Sequence, residues 1–563
     1  MIGEDSLEIT REEGDAMNKR EKDGKGFISR RNFLKWTGGM ALALPFAHVR
    51  RAHAAEEKTV TVAWDTEIDT LDPASFKTIG AYNVVANIYD TPIYWGVSPI
   101  PGKEGFFLSK PGDFVPRLAE SWTREKDGGT IVFKVRKGVK FPTGNPVTAH
   151  AFKYSFDRGL LSPGYMRLII PTLLMVDSPD QFEVRDDYTF AIKMKKPNPM
   201  DMDIIALSNN AILDPAEVKK HATSDDPWAA NWLKRNPIGG GPYTLAKNIP
   251  GVEVVLEANK GYWQKPPYFE RIVLKFVPSE ADRVMLIKRK AVDMVVGRPG
   301  LSPKNVKSLE GEPGLKIFSV PDTTCHFVSM NQKRPPYDNI KVRQAINYAI
   351  PMEAIMPNVL FGYGRLMKSP VPDLTPTYDL TANKYKFDLE KAKALLKEAG
   401  YEKGFTTNMA IRLGWIPHEH AAIWMQREFE KIGIKVNIVK ETDATFRQSM
   451  TQGLHEISIE SWQSWVNDPL YHIQWNFHSK AKATNVNFYS NPEVDKLLEE
   501  NMHETNLDKR NAASRELQKI IIEEAVWGFL WYDNWTRVMK TDLYGLEKRW
   551  DTFERYYSLF RKA

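Results

Sequence analysis

The chain has 563 residues, 77 Lys+Arg against 71 Asp+Glu, 16 tryptophans and one cysteine, Cys325. The length far exceeds the roughly 250–300 residues at which one hydrophobic core stops growing, which excludes a single-core protein and requires two or more lobes. Charges of both signs are mixed, with no dense Lys/Arg block beyond the N-terminal segment, so nucleic acid is excluded as a partner, and a lone cysteine excludes an internal disulfide.

From the N terminus, Ser29-Arg30-Arg31-Asn32-Phe33-Leu34-Lys35 precedes an apolar run from Trp36 to Ala47 and then Ala52-His53-Ala54. A basic region, an apolar region and a small-x-small site in that order are the parts of an export signal. The stretch holding Arg30, Arg31, Phe33 and Leu34 resembles the twin-arginine consensus, an address read by the machinery that exports folded proteins. The apolar run, diluted by Gly38 and Gly39, falls short of the roughly 20 residues of a membrane span. Cleavage after Ala54, with Ala52 and Ala54 as the small pair, removes 10 basic and 8 acidic residues and leaves a mature chain with 67 and 63. Translation starts at Met1 or at Met17.

Thr59 to Trp64 reads as a strand, and Thr70-Leu71-Asp72-Pro73 as the turn ending the loop after it. Ile131 to Arg136, Gly138 and Phe141 to Thr148 read as a hairpin leading into a helix over about 149–158. Asp201-Met202-Asp203 reads as a capped helix start. Asn236 to Tyr243, with Gly239, Gly240 and Gly241 beside Pro237 and Pro242, reads as a tight turn between lobes; Pro242 removes a donor that a phosphate cradle would need. Val342, Ala345, Ile346, Ala349 and Ile350 form an apolar helical stripe. A further helix begins at Asp388 as N-cap, carries Leu389, Ala392, Leu395, Leu396 and Ala399 on one face, and stops at Gly400. Met425 and Phe429 read as core, and Pro492 opens a helix bearing Val494, Leu497 and Leu498.

No enzyme signature is present: no Gly-x-Ser-x-Gly elbow, no His-Glu-x-x-His, no cysteine pair and no dinucleotide glycine pattern. His418-Glu419-His420 is the one ligand-like cluster, and two histidines without a third partner read as a solvated loop before a helix rather than a metal site. No cofactor is expected.

Several segments line up in order with one family. They are Val115 to Trp122, Phe133 to Phe141, Pro146 to Ala149, Gly241-Pro242-Tyr243, Asn259 to Trp263, Pro336-Tyr337-Asp338 with Val342 to Ile346, Ala392 to Tyr401, and Asn491 to Asp495. Together they resemble the bacterial extracellular solute-binding proteins of family 5, which feed ATP-binding-cassette importers. The resemblance implies an α/β, periplasmic-binding-protein-like fold of the large type II form, with two lobes joined by hinge strands and an extra α/β domain inserted in the first lobe. It places the signal at 1–54, the first lobe at 55–91, 237–315 and 524–563, the inserted domain at 92–236 and the second lobe at 316–523. It also implies a periplasmic, monomeric receptor that closes around its solute and works with membrane permease and ATPase subunits, after passage through the twin-arginine translocase.

Peptide-binding members commonly carry Gly-Trp-x-x-Asp a few residues before a Pro, the Asp holding the peptide's amine. Here Trp465 stands where that Asp is expected, in Ser461 to Pro469, which disfavours ordinary free-amine peptides because a buried ammonium would lack a partner. Asp468 substitutes only if the loop is rearranged. Trp462 and Trp465 either stack on a solute or belong to the core. Arg412, with Trp415, is either a carboxylate clamp, as in some dipeptide-type relatives, or a surface strand residue. Asp65, Thr66 and Glu67 either line the cleft or form a solvated loop. The expected solute is a peptide or peptide-like molecule. The alternatives are an oligosaccharide, opine or metal chelate stacked on Trp462 and Trp465, a sensory receptor with the same cleft, and an exported hydrolase on this scaffold.

Overall fold

The computed structural model describes residues 57–562 other than Phe76, Lys77, Pro299, Leu380 and Ala382. Arg30, Arg31, Phe33, Leu34 and the Ala52/Ala54 cleavage site lie outside the described residues.

Two long strands organise the molecule. Leu315–Met330 and Trp527–Lys540 pair antiparallel, from Leu315 opposite Lys540 to Ser329 opposite Trp527. From Asp322 to Met330 every residue is buried, the continuous pattern of a strand covered on both faces rather than an alternating one. The two lie mid-way in a sheet. On one side follow Ile457–Gln463, Phe405–Arg412 and Ile434–Glu441; on the other, Met294–Val295, Thr59–Trp64, Arg271–Phe276, Glu253–Ala258 and Tyr243–Ile249. Each flank packs its own core. Val342, Ala345, Ile346, Leu396, Met425 and Phe429 pack under the first flank, and Val60, Val62, Val84, Val85, Ile272 and Leu274 under the second. Two cores on one sheet, bridged by a strand pair, make a two-lobed α/β protein. A separate four-stranded sheet, Ala119–Arg124, Thr130–Val135, Thr189–Lys193 and Phe182–Asp186, packs against the helix Ala149–Leu161.

The strand pair is interrupted where the lobes meet. Pro321 pairs with Asn534, and the next pair is Cys325 with Tyr532. Asp322, Thr323 and Thr324 therefore bulge out of the ladder against the single residue Asp533, beginning at a proline that has no amide to donate. Bulges re-aim side chains, and this one turns Asp322 and Thr324 toward the space between the lobes.

Local signals set most of the helix ends. Asp388 accepts from the Lys391 amide, and the helix Leu389–Glu398 is followed by Gly400 at φ +83°, a left-handed terminus that favours glycine. Asn491 caps Pro492–Asn501 by accepting from Glu493 and Val494. Three expectations need correction. Thr130–Val135 pairs not with the segment after it but with Ala119–Arg124 and Thr189–Lys193, and residues 137–148 hold one bridge, Lys140 to Pro146, because Pro142 and Pro146 lack amide donors. Asp201 lies in the first turn of its helix rather than capping it, and pairs with Arg124 at 2.7 Å. His418 is not in a solvated loop: Pro417 starts the helix Ile416–Glu430 early, and His418 is fully buried within it. The triple glycine has a steric reason, since a Cβ on Gly241 would fall 2.6 Å from the Ile88 carbonyl carbon where the chain crosses a helix end.

Candidate functional site

A cleft enclosing about 830 Å³ of empty space, part of it open to solvent, lies between the lobes. Its floor is the interrupted strand pair, with Asp322, Thr324 and His326 from one strand and Asp533, Asn534 and Arg537 from the other. Trp415, Pro417, His418 and Gln463 form one wall, and Arg298, Leu301, Val306 and Thr552 the other.

Arg298 stands in a turn just beyond the short strand Met294–Val295. Gly297 and Gly300 turn the chain at φ +129° and +63°. Asp65 Oδ2 accepts from the Gly300 amide at 2.9 Å, and a Cβ on Gly297 would fall 2.2 Å from Asp65 Oδ1, so Asp65 is packed into this turn. Arg283 holds the other side, donating to the Gly300 carbonyl at 2.6 and 3.0 Å. On this fixed turn Arg298 donates Nη1 to Gln463 Oε1 of the opposite wall at 3.0 Å. Among the described residues its buried Nε and Nη2 have no hydrogen-bond partner, and it forms no ion pair. Burial pulls the guanidinium down from its ordinary value, opposed by the nearby Asp533 and Asp322 carboxylates. The other cations nearby are matched: Arg537 with Glu554, Arg365 with Asp373, and Lys548 with Asp322 at 3.2 Å.

Beside Arg298 runs a chain of polar groups. His418 Nε2 lies 2.8 Å from His326 Nδ1, and His326 Nε2 lies 2.8 Å from Asp533 Oδ2. Trp531 Nε1 donates to Asp533 Oδ1 at 3.1 Å. The rings of Trp415 and Trp531 pack around both imidazoles, with His326 stacked 4.9 Å from Trp531.

Of the residues expected from sequence, Trp415 is on the cleft wall. Arg412 is neither a surface residue nor a free clamp: it is buried, 3.1 Å from Glu460 and 3.3 Å from Asp443, with its guanidinium over the rings of Trp415 and Phe446. Asp65 is the brace of the Arg298 turn; Thr66 donates to it at 2.8 Å, and Glu67 is exposed. Trp462 is half-buried on a strand paired with Cys325, and Trp465 packs edge-on against Tyr82 and Tyr165, with ring centroids 4.9 and 5.5 Å away. Neither tryptophan lies on the cleft wall. Asp468 caps the helix Pro469–Phe477 and pairs with Arg510 at 2.7 Å, so it has not moved into the role of the missing amine-binding Asp. Sequence reading missed Arg298, Asp322, His326, Gln463 and Asp533, which come from four separate segments and share no motif. The Gly-Arg-Pro-Gly punctuation around Arg298 was the one visible sign of a built turn.

Residues 113–484 match the sequence profile of the bacterial extracellular solute-binding proteins, family 5, middle region. The chain belongs to this family. Among family-5 relatives it is 27% identical over 503 residues to the probable D,D-dipeptide-binding periplasmic protein of Escherichia coli strain K12, covering 88% of this chain and 92% of the relative. It is 28% identical over 438 residues to heme-binding protein A of Haemophilus influenzae, covering 74% and 78%. Its fold is similar to that of the dipeptide-binding protein from Pseudoalteromonas sp. SM9913 in complex with Met-Leu, with a TM-score of 0.77, 24% identity, and coverage of 90% of this chain and all of that one. This family-5 protein is a solute-binding protein, and its relatives are binding proteins rather than enzymes. Among the described residues no helix is long and apolar enough to cross a membrane.

Proposed function

We propose that this protein is the periplasmic receptor of an ATP-binding-cassette importer, and that it captures a peptide-like solute whose carboxylate seats on Arg298 between the lobes. The observation that carries this reading is a buried arginine on the cleft wall that, among the described residues, has no carboxylate in ion-pair contact. A buried guanidinium is costly unless paired, and its planar fork suits a carboxylate bidentately. The solutes named for the relatives, a D,D-dipeptide, heme and Met-Leu, all bear carboxylates. Because Arg298 and Gln463 face each other across the cleft, a solute touching both favours the closed form, as a population shift requires. The partners in this reading are permease and ATPase subunits, with the twin-arginine translocase used during export. The receptor is monomeric, with the extra domain inserted at 92–236, and it performs no catalysis.

The amine end has no dedicated carboxylate of the usual kind, since Trp465 occupies that place and Asp468 is engaged by Arg510. Thermal-shift and calorimetric titrations with Met-Leu and D-Ala-D-Ala, their N-acetyl forms and their C-terminal amides test this. The free acids and N-acetyl acids should stabilise the protein, and the amides should not. Equal binding by acid and amide would remove Arg298 from the role.

A further inference from the structure

The His326 and His418 imidazoles line the same cleft as Arg298, on its floor and its opposite wall, and solute capture by a carboxylate alone gives them no task. With both imidazoles neutral, their hydrogen bonds allow one placement of the protons. Asp533 Oδ2 only accepts, so His326 Nε2 carries a hydrogen and donates it over 2.8 Å. A neutral His326 then offers a lone pair at Nδ1, and His418 Nε2 donates to it over 2.8 Å. One nitrogen is left over. His418 Nδ1 is an acceptor that is buried and, among the described residues, has no hydrogen-bond partner. Native structures rarely leave such an atom unpaired.

The charges facing the pair disfavour a proton on that nitrogen. On the strand of His326, Asp322 is engaged by Lys548 and Thr324. On the facing strand, Asp533 accepts from both His326 and Trp531. Next to the helix of His418, Arg412 is matched by Glu460 and Asp443, and Glu419 by Lys440. Arg298 completes the set as a positive charge that, among the described residues, forms no ion pair. Burial, then any proton on His326, then the Arg412 and Arg298 charges hold the His418 imidazole well below its ordinary value. A carboxylate on Arg298 cancels the unmatched charge and so lowers the cost of adding one.

We propose that the cleft takes its anion and a proton together: when a carboxylate seats on Arg298, a solvent proton adds to His418 Nδ1, and the His418–His326–Asp533 chain carries the resulting charge. The inference rests on Arg298 as the carboxylate seat. One N–H bond forms from a solvent proton and no bond in the protein breaks. The bound state holds the extra proton, so affinity for an anionic solute rises as pH falls, by up to about tenfold per pH unit where only the bound form is protonated. A neutral solute gains nothing.

Calorimetry of Met-Leu binding to the wild-type protein, near pH 7 in phosphate and in Tris, reads the proton directly, because the two buffers release protons with different heats. The expected result is uptake approaching one proton, with binding at least about tenfold tighter at pH 6 than at pH 8. His418→Gln, which keeps an N–H donor for His326, should flatten that dependence to within about twofold. A second arm needs no solute. Histidine-imidazole NMR titrations of wild type and Arg298→Met should show His418 titrating at higher pH in the variant, where the guanidinium charge is gone. Absence of proton uptake while Met-Leu binding still requires Arg298 overturns the inference and leaves the receptor reading intact. Failure of Met-Leu and N-acetyl-Met-Leu to bind overturns the carboxylate seat instead, and the NMR arm then decides the coupling: identical His418 titrations in the two proteins refute it.

Discussion

Replacing Arg298 by Met keeps the length of the side chain and removes its charge, and the structure fixes opposite consequences for folding and for binding. In the ligand-free protein the guanidinium has one side-chain hydrogen bond, to Gln463 at 3.0 Å, and two buried nitrogens with no partner among the described residues. A charge-assisted hydrogen bond contributes about 1.5–3 kcal/mol, while the effective cost of burying an unpaired ion is several kcal/mol. Arg298→Met should therefore leave the ligand-free protein as stable as the wild type, or more stable by about 1–2 kcal/mol. Binding goes the other way. Losing one partner of a buried, hydrogen-bonded charge pair costs about 2–5 kcal/mol, which at about 1.4 kcal/mol per decade is roughly 30-fold to several-thousandfold in Kd. Urea denaturation without solute and calorimetry with Met-Leu measure the two quantities. A variant that is destabilised by more than about 3 kcal/mol, yet binds within twofold of wild type, would show that Arg298 holds the fold together and does not meet the solute.

Other residues give independent checks. Arg158 grips Asp72 through two 2.6 Å hydrogen bonds with both side chains almost fully buried, so Arg158→Met should cost about 3–5 kcal/mol in urea unfolding; a loss under about 1 kcal/mol contradicts the pairing. Trp465 packs with Tyr82, Tyr165 and Phe553, so Trp465→Ala should destabilise by about 2–4 kcal/mol while leaving the preference for acid over amide unchanged; an unchanged melting temperature argues against that packing. Asp203 accepts from Trp95 Nε1 at 2.8 Å, and burial, with Asp468 and Asp201 adding to it, pushes its carboxyl up to about 7. The native state thus keeps a proton that the unfolded chain has already lost, so this group's contribution to stability falls as pH rises from about 4 to about 7 and is flat above. Asp203→Asn keeps a neutral side chain at every pH and should remove that fall; parallel stability curves for the two proteins over this range would refute the assignment.

Much of the fold was written locally. Asp388 and Asn491 start their helices through side-chain oxygens that meet amides two or three residues on, and Gly400 supplies a left-handed terminus, each within one turn of chain. Met425 and Phe429 were readable as core because helical spacing puts both on one face. The Phe141 to Thr148 hairpin was misread because the true partners of Thr130–Val135 include a strand more than fifty residues later, and no local pattern reports it. His418 was misplaced for a related reason: its own sequence shows a polar cluster near a helix start, while its burial comes from Trp415, Trp531 and His326 closing over it.

By itself the sequence determined a long, disulfide-free chain of several lobes, its ordered family motifs, and the positions at which helices stop. Those properties depend on chain length, composition and contacts within a few residues. The tertiary structure decided which arginine is left without an ion pair among the described residues. Arg412 has the more suggestive setting in sequence, yet Glu460 and Asp443 engage it. Arg298 sits in an ordinary turn, yet Asp65, 233 positions earlier, is built into that turn, and no carboxylate reaches its guanidinium among the described residues. Whether a charge is matched depends on what the fold brings within a few ångströms of it, and in this protein those neighbours come from distant parts of the chain.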